Sequence, residues 1–368
     1  MSRSRSEPAS AGHFTWRALA GAPVVAVVLL VAAVIACAEA GVSFRDPDNV
    51  AAQYVVLVGA GVALLVAIDV ALRAAQRTGT RRPTREAMRA VRRERWTPRR
   101  AAAVGIALVS FYVTYLAYRN LKAIVPFLRP DDLFDRELAD VDRGMFLGHD
   151  PAALLHGLLG TGVAAHLLST FYAAFIVFLP LSLGLALVFS HRLQLSLFYA
   201  AALSINWVLG AATYFLLPAL GPIYAFPQWF AELPHTEATR LQQMLLDDRT
   251  GFLADPANGT PQAIAAFASL HVAMSFTALL AVYLLGLGRW LKIVLWAWLV
   301  VTLIATVYLG WHYVVVDIAG MALGVMTLVL ARLLTGFDPR TAASQEAVPV
   351  RAPTEEERFG ALSGAGSR

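Results

Sequence analysis

One cysteine, Cys37, stands in the 368 residues, which excludes a disulfide framework within the chain and any metal site built on thiolates. Charge is also scarce: 15% of the residues are Asp, Glu, Lys or Arg, against 58% hydrophobic. With a mean hydropathy of +0.60, that balance excludes an ordinary soluble core and points to a polytopic membrane protein. Lysine is nearly absent, present only as Lys122 and Lys292, so the net charge of +5 rests on arginine. Eleven arginines fall between Arg73 and Arg100, against Glu86 and Glu94. By the positive-inside rule this segment is cytoplasmic. Contact with anionic lipids goes with that reading, and a nucleic-acid patch is the disfavoured alternative. The Arg- and Ala-heavy usage fits a GC-rich bacterium, so a bacterial plasma membrane is the expected location.

What the chain does have is apolar runs. Eight of them, at residues 19–38, 54–72, 101–121, 167–189, 195–217, 273–287, 291–309 and 313–334, predict an all-α polytopic membrane protein of about eight transmembrane helices with both termini inside. The sequence Val34-Ile35-Ala36-Cys37 resembles a lipoprotein cleavage box, but the run is long for a signal peptide and reads as an uncleaved first span. Asp69, near the end of the second run, is expected to pair with Arg73. Residues 1–15 and 335–368 are polar and expected to be disordered and cytoplasmic. The outer segments are 131–151 and 218–261. The second carries Tyr224, Phe226, Trp229 and Phe230, which suit a lipid–water interface, a cover for a site, or plain loop packing. Gly310-Trp311 reads as a turn with an interfacial anchor. His149, His156, His166 and His235 read as structural or surface residues.

Two histidines are different, because each stands at the start of an apolar run. His271 precedes the run at 273–287 and His312 precedes that at 313–334, so two crossings separate them and they face the same surface. Lys122 and Arg129 emerge on that surface too, at the end of the run opposite the Arg-rich segment. They are seven apart, two turns on one helix face, although Pro126 and Pro130 argue against a regular helix there. Two cations and two imidazoles on one side describe a phosphate site. Arginine grips phosphate oxygens with a planar fork and lysine supplies a point charge. One histidine can attack phosphorus while the other protonates the leaving oxygen, and a carboxylate can fix the nucleophile's tautomer. No metal or cofactor is required. A competing reading takes Asp131-Asp132-Leu133-Phe134-Asp135, whose D-D-x-x-D spacing suits Mg²⁺ on a prenyl diphosphate. A prenyltransferase would use that motif twice, and there is no convincing second copy.

These residues resemble the type 2 phosphatidic acid phosphatase (PAP2) superfamily. Its first motif, K-x6-RP, is matched by Lys122, Arg129 and Pro130. The second, P-S-G-H, is present as Ala268-Ser269-Leu270-His271, and its Leu variant is similar to the branch of inositol phosphorylceramide synthases and their bacterial relatives. The third, S-R-x5-H-x3-D, is represented by His312 and Asp317. The resemblance implies a six-helix catalytic core at 101–334, preceded by two extra spans (16–72) and the Arg-rich segment (73–100). It implies phosphate contacts from Lys122, Arg129, Ser269 and the backbone around Leu270. His271 would be the general acid, His312 the nucleophile and Asp317 its orienting carboxylate. The substrate implied is a lipid phosphate or phospholipid, handled on the outer side of the membrane.

The chain departs from the family pattern in three places. Ala268 replaces proline, which relaxes the loop. Ala305 and Thr306 replace the third-motif Ser and Arg, so one phosphate-binding arginine is missing, as in the inositol-transferring branch. The family Asp falls on Val316, with Asp317 one residue late. On a regular helix four residues turn about 40° and five about 140°, so Asp317 orients His312 only if the helix begins after that histidine or bulges between them.

Overall fold

The computed structural model describes residues 14–46, 50–130, 132–261, 264 and 266–338. The two expected disordered segments therefore lie outside the described residues except for their inner edges, and so does Asp131. The described chain is all-helical. Its membrane-length helices are α1 (Trp16–Glu39), α2 (Val50–Thr78), α4 (Pro98–Leu128), α7 (Val163–Phe189), α8 (Leu193–Leu216), α12 (Arg289–Tyr308) and α13 (Val314–Thr335), all apolar enough to cross a bilayer. An eighth apolar helix, α11 (Leu270–Leu284), is shorter. These eight coincide with the eight apolar runs.

α4 continues through Pro126, where the sequence argues against a helix. The proline sits in the last turn, so the only intrahelical bond it forfeits is the one to the Lys122 carbonyl. Arg129 caps the helix and Pro130 cannot continue it. With 31 residues, α4 runs about 46 Å from the Arg-rich end of the bundle to the Lys122 end.

The Arg-rich stretch is mostly helical. α2 extends to Thr78, and a separate α3 (Arg85–Arg95) follows, with the Thr84 hydroxyl accepting the Ala87 N–H at 3.2 Å. Val91 seats α3 on Val70 and Ala74 of α2. Three of the arginines turn inward onto the unsatisfied carbonyls at the end of α7. Arg73 donates to Phe189, Arg95 to Val188 and Ser190, and Arg100 to Leu187, at 2.8–3.3 Å. Positive charge at a helix C-terminus is favourable, because the carbonyl dipoles sum to a partial negative charge there. Asp69, buried, pairs with Arg73 at 2.7 Å, as its position suggests, and also with Arg95 at 2.6 Å.

α1 packs lengthwise on α4, α8 and α13 through small residues, among them Ala18, Ala22, Ala26 and Ala33. Cys37 is buried in its last turn. α8 is the most enclosed span. Asn206 at its centre donates to Thr277 of α11 at 3.0 Å and accepts from Thr327 of α13 at 3.3 Å, which joins three helices inside the apolar bundle.

The two polar segments expected outside the membrane also fold. They form α5 (Asp135–Met145), α6 (Pro151–Leu159), α9 (Pro222–Ala225), a 3₁₀ turn at Pro227–Phe230 and α10 (Glu237–Ala254). Together these cap the end of the bundle opposite α3.

Candidate active site

Ser269 begins the site because it is the N-cap of α11, its hydroxyl accepting the Val272 N–H at 3.4 Å. A cap satisfies only part of a helix start, so the N–H groups of Leu270 and His271 have no partner within the helix, at the end where its dipole is positive. The Leu270 side chain fills the notch left by Gly210 of α8. Leucine thus anchors the loop here, while its N–H stays at the open start of the helix.

His271 follows, with its ring against Tyr172 (4.7 Å between centroids) and Phe175 (4.4 Å) of α7. Tyr172 stacks in turn on Trp311 at 4.9 Å with planes 6° apart. Trp311 is therefore part of the wall, not the interfacial anchor its position suggests. The turn expected at Gly310 is present, and it folds the indole back onto α7. Tyr172 lies nine residues into α7, about 14 Å from its start, so the histidine is recessed within the bundle.

The His312 ring is 5.7 Å from that of His271. His312 is 6% exposed, and neither ring nitrogen has a hydrogen-bond partner among the described residues. The Ala266 backbone lies beside the ring without meeting hydrogen-bond geometry. Two unpartnered imidazole nitrogens in a buried wall are costly.

Lys122 lies near enough for its charge to act on both imidazoles. Its Nζ sits over the Tyr214 ring at 5.8 Å and has no acceptor side chain among the described residues. Arg129 stands further out. Its Nε donates to Asp132 at 2.8 Å and its Nη1 to the Phe215 carbonyl. Thr213, two residues before Phe215, accepts the Ala268 N–H at 3.0 Å, which ties the Arg129 end of α4 to the loop before Ser269.

Asp317 is where sequence and structure diverge. α13 begins at Val314, after His312, so the condition for Asp317 to turn towards the imidazole is met. The carboxylate instead lies 2.8 Å from the Thr306 hydroxyl, whose one proton is shared with the Thr302 carbonyl at 2.9 Å. The other oxygen, Oδ1, has no hydrogen-bond partner; Ser269's hydroxyl is beside the carboxylate but outside bonding geometry. Val316, at the family's Asp position, is buried against Leu138 and Tyr313 and accepts the Ser269 N–H through its carbonyl at 3.2 Å. The structure thus brings together His271, His312, Lys122, Ser269 and Leu270, sets Arg129 at the rim, and leaves Asp317 bonded to the position of the missing arginine.

Two carboxylates of α5 hold the His312 loop: Asp135, which the sequence offers only as part of the D-D-x-x-D spacing, and Asp142, which it does not single out. Asp135 and Asp142, seven apart on α5, are 5% and 3% exposed. Asp135 accepts from the Tyr313 hydroxyl (2.9 Å) and from the N–H groups of Leu220 (2.9 Å) and Gly221 (2.8 Å). Asp142 accepts the N–H groups of Val314 (2.7 Å) and Val315 (2.9 Å), capping α13. Burial pushes the Asp142 carboxyl above its ordinary value, against the pull of those two donors. Gly221, at φ +100°, passes so close that a Cβ would lie 2.5 Å from the Trp311 carbonyl.

The D-D-x-x-D segment is accordingly divided: Asp132 faces Arg129 and Asp135 is committed to the Leu220–Gly221 turn and Tyr313. The aromatic patch of 218–261 packs inward as well. Phe226 stacks on Trp229 at 4.2 Å, and Phe230 is buried beside His156. His156 bonds the Tyr308 carbonyl at 2.8 Å, a structural role as expected. Arg249, on the inward face of α10 between Leu245 and Phe252, is partly buried with an unpartnered Nε. The only sequence signal for these residues is helical spacing within the outer segments.

No curated protein and no solved structure matches the chain. The family model described as PAP2 superfamily matches residues 136–330, just over half of the chain. The match begins after the Lys122–Pro130 motif, so it rests on α5 through α13 and takes in both histidines. The paired imidazoles fall inside that span, and the chain belongs to the PAP2 superfamily.

Proposed function

We propose that this protein is a membrane-embedded phosphotransferase or phosphatase that acts on lipid-linked phosphate through a phosphohistidine at His312. The observation that carries the reading is the recessed His271–His312 pair with both His312 nitrogens unpartnered. A phosphate monoester or diester enters beneath Lys122, with its oxygens on the Lys122 ammonium and the N–H groups at the start of α11. Arg129 joins them by exchanging Asp132 for phosphate. A neutral His312 nitrogen attacks phosphorus, forming the P–N bond as the P–O bond to the leaving group breaks. His271 gives its proton to that oxygen. In the second half His271 removes the proton of an incoming hydroxyl, whose oxygen displaces His312 from phosphorus and restores the free enzyme. Lys122, Arg129, Ser269 and Leu270 bind phosphate, and no metal takes part in any step. Asp317 acts on the α12–α13 junction through Thr306.

The aromatic wall of Tyr172, Phe175 and Trp311 favours an alcohol over bulk water as acceptor, and the Leu270 and Thr306 variants favour transfer of an inositol phosphate to a lipid. Hydrolysis of a lipid or polyprenyl phosphate is the alternative on the same residues. The catalytic unit is assigned to 101–334 and the site to the outer surface, opposite the Arg-rich end. A third reading, a lipid-phosphate binder without turnover, draws on the Asp317–Thr306 bond, which leaves His312 without an orienting carboxylate. Detergent-purified protein incubated with ³²P-labelled phosphatidylinositol, phosphatidic acid and polyprenyl phosphate distinguishes the three. Acid-labile, alkali-stable label on the protein, absent in His312→Ala, supports catalysis. Binding without label in the unmodified protein overturns it.

A further inference from the structure

The Arg-rich segment lies at the opposite end of the bundle. Three of its arginines are spent on the end of α7, and Arg77 pairs with Glu94 at 2.5 Å. Arg85, Arg89 and Arg92 are not used in this way. They are exposed, carry no ion pair or side-chain hydrogen bond among the described residues, and recur at i, i+4 and i+7, which puts all three guanidinium groups on one face of α3. That face and Val70 of α2 line an open groove of about 450 Å³, with Met88 between the arginines. One wall is therefore cationic and the floor apolar.

We propose that this groove is a binding site for an anionic phospholipid, with its headgroup phosphate on Arg85, Arg89 and Arg92 and an acyl chain laid along α2. Three features select a lipid over a soluble anion. α2 is the least enclosed membrane-length helix, and Val66 and Ala67, one turn from Val70 on the same face, are apolar and not buried. A phosphate held by the arginines thus stands where an apolar helix face leads away from it. The groove lies at the level of Asp69 and the end of α7, where a span passes into the headgroup zone. Guanidinium forks match phosphate geometry, and basic groups at this depth attract anionic leaflets. The bound lipid wedges α3 against α2, and so supports the α7 cap that Arg95 makes at the end of α3. This site is independent of the histidine pair and does not rest on the catalytic reading.

The test is thermal unfolding of the detergent-purified full chain with phosphatidylglycerol, phosphatidylcholine or inorganic phosphate added. Phosphatidylglycerol is expected to raise the midpoint by about 2–4 °C, and phosphatidylcholine and phosphate are expected to leave it in place. The Arg85→Gln/Arg89→Gln/Arg92→Gln variant loses the response, whereas Arg81→Gln/Arg82→Gln/Arg93→Gln, equal in charge and outside the groove, keeps it. An equal response in the two triple variants reduces the effect to diffuse attraction and overturns the site. A shift with inorganic phosphate as large as that with lipid overturns the lipid assignment. Should the groove variant fail to fold, competition by phosphatidylglycerol for a spin-labelled anionic lipid on the unmodified protein decides, and absence of competition refutes the proposal.

Discussion

Asp142 accepts the backbone N–H of Val314 at 2.7 Å, two residues after His312, so a carboxylate on α5 sets where the proposed nucleophile stands. The same group takes Val315 at 2.9 Å. Asp142→Asn keeps the shape and weakens both bonds, and is expected to cost about 1–2 kcal/mol of stability. Its pH behaviour has a definite sign. Burial raises the folded pKa above the unfolded one, so the stability this group contributes is present below the ordinary carboxylate value and is lost as pH rises through the raised value. Activity runs the other way, because the ionised form accepts both N–H groups. Unfolding midpoints and turnover across that window check both; in Asp142→Asn both slopes should flatten.

The two histidines have separable roles. His312→Ala is expected to remove both turnover and the covalent phosphoenzyme. His271→Ala should lower turnover about 10²–10⁴-fold, the usual contribution of a general acid, while a phosphoenzyme still forms slowly. Rapid-quench labelling of the two variants measures this, and equal labelling rates in both would remove the assignment.

Asp317 bonds Thr306 rather than the imidazole, and this predicts a structural penalty larger than a catalytic one. Thr306→Val strands a buried carboxylate and should cost about 1–3 kcal/mol of stability. Asp317→Asn should reduce turnover per folded molecule less than tenfold. A carboxylate that orients a catalytic histidine costs about 10⁴ when so changed, and a loss of that size would return Asp317 to His312. Folded fraction by size exclusion, measured beside initial rates, separates the two effects.

Asp132 tests the divided acidic motif. It holds Arg129 at 2.8 Å in a pair that is half open to solvent. Asp132→Ala should leave the maximal rate within about threefold, since exposed pairs contribute roughly 0–1 kcal/mol, and should lower KM by freeing Arg129 for phosphate. Chelator should not alter either quantity. Collapse of activity with Asp132→Ala or with chelator would favour a carboxylate-bound metal.

The spans were legible because eight apolar runs separated by polar turns leave few alternatives, and Lys122, His271 and His312 because their chemistry is out of place beside such runs. The roles of Asp135, read only as part of a metal-binding spacing, and of Asp142 were not legible. A carboxylate in an acidic outer segment looks solvated, and only the folded position of the His312 loop shows what each accepts. Trp311 misled for a related reason. Its stacking partner Tyr172 lies on another span, and no local pattern announces the pairing. The register of Asp317 was readable as an anomaly, but its resolution depended on Thr306 standing across from it.

The separation of the two imidazoles depends on how closely α13 approaches the start of α11, and Gly320 permits that approach. A Cβ there would lie 2.5 Å from the Ser269 carbonyl oxygen and 3.4 Å from the Ala273 nitrogen. Both are backbone atoms that cannot swing aside as a side-chain tip could. Gly320→Ala must therefore push α13 outward, taking His312 away from His271 and loosening the Ser269–Val316 bond. Misplacement by about 1 Å can cost 10²-fold in rate, so turnover should fall by about that factor even though alanine is a better helix former than glycine. Gly105→Ala on α4, where a Cβ would meet nothing within 4 Å, supplies the control and should leave the rate unchanged or the protein slightly more stable. The pair is to be compared by initial rate and unfolding midpoint. Equal rates in Gly320→Ala and Gly105→Ala would mean that the chemistry tolerates a wider gap between the histidines, and the paired-imidazole mechanism would lose its geometric basis.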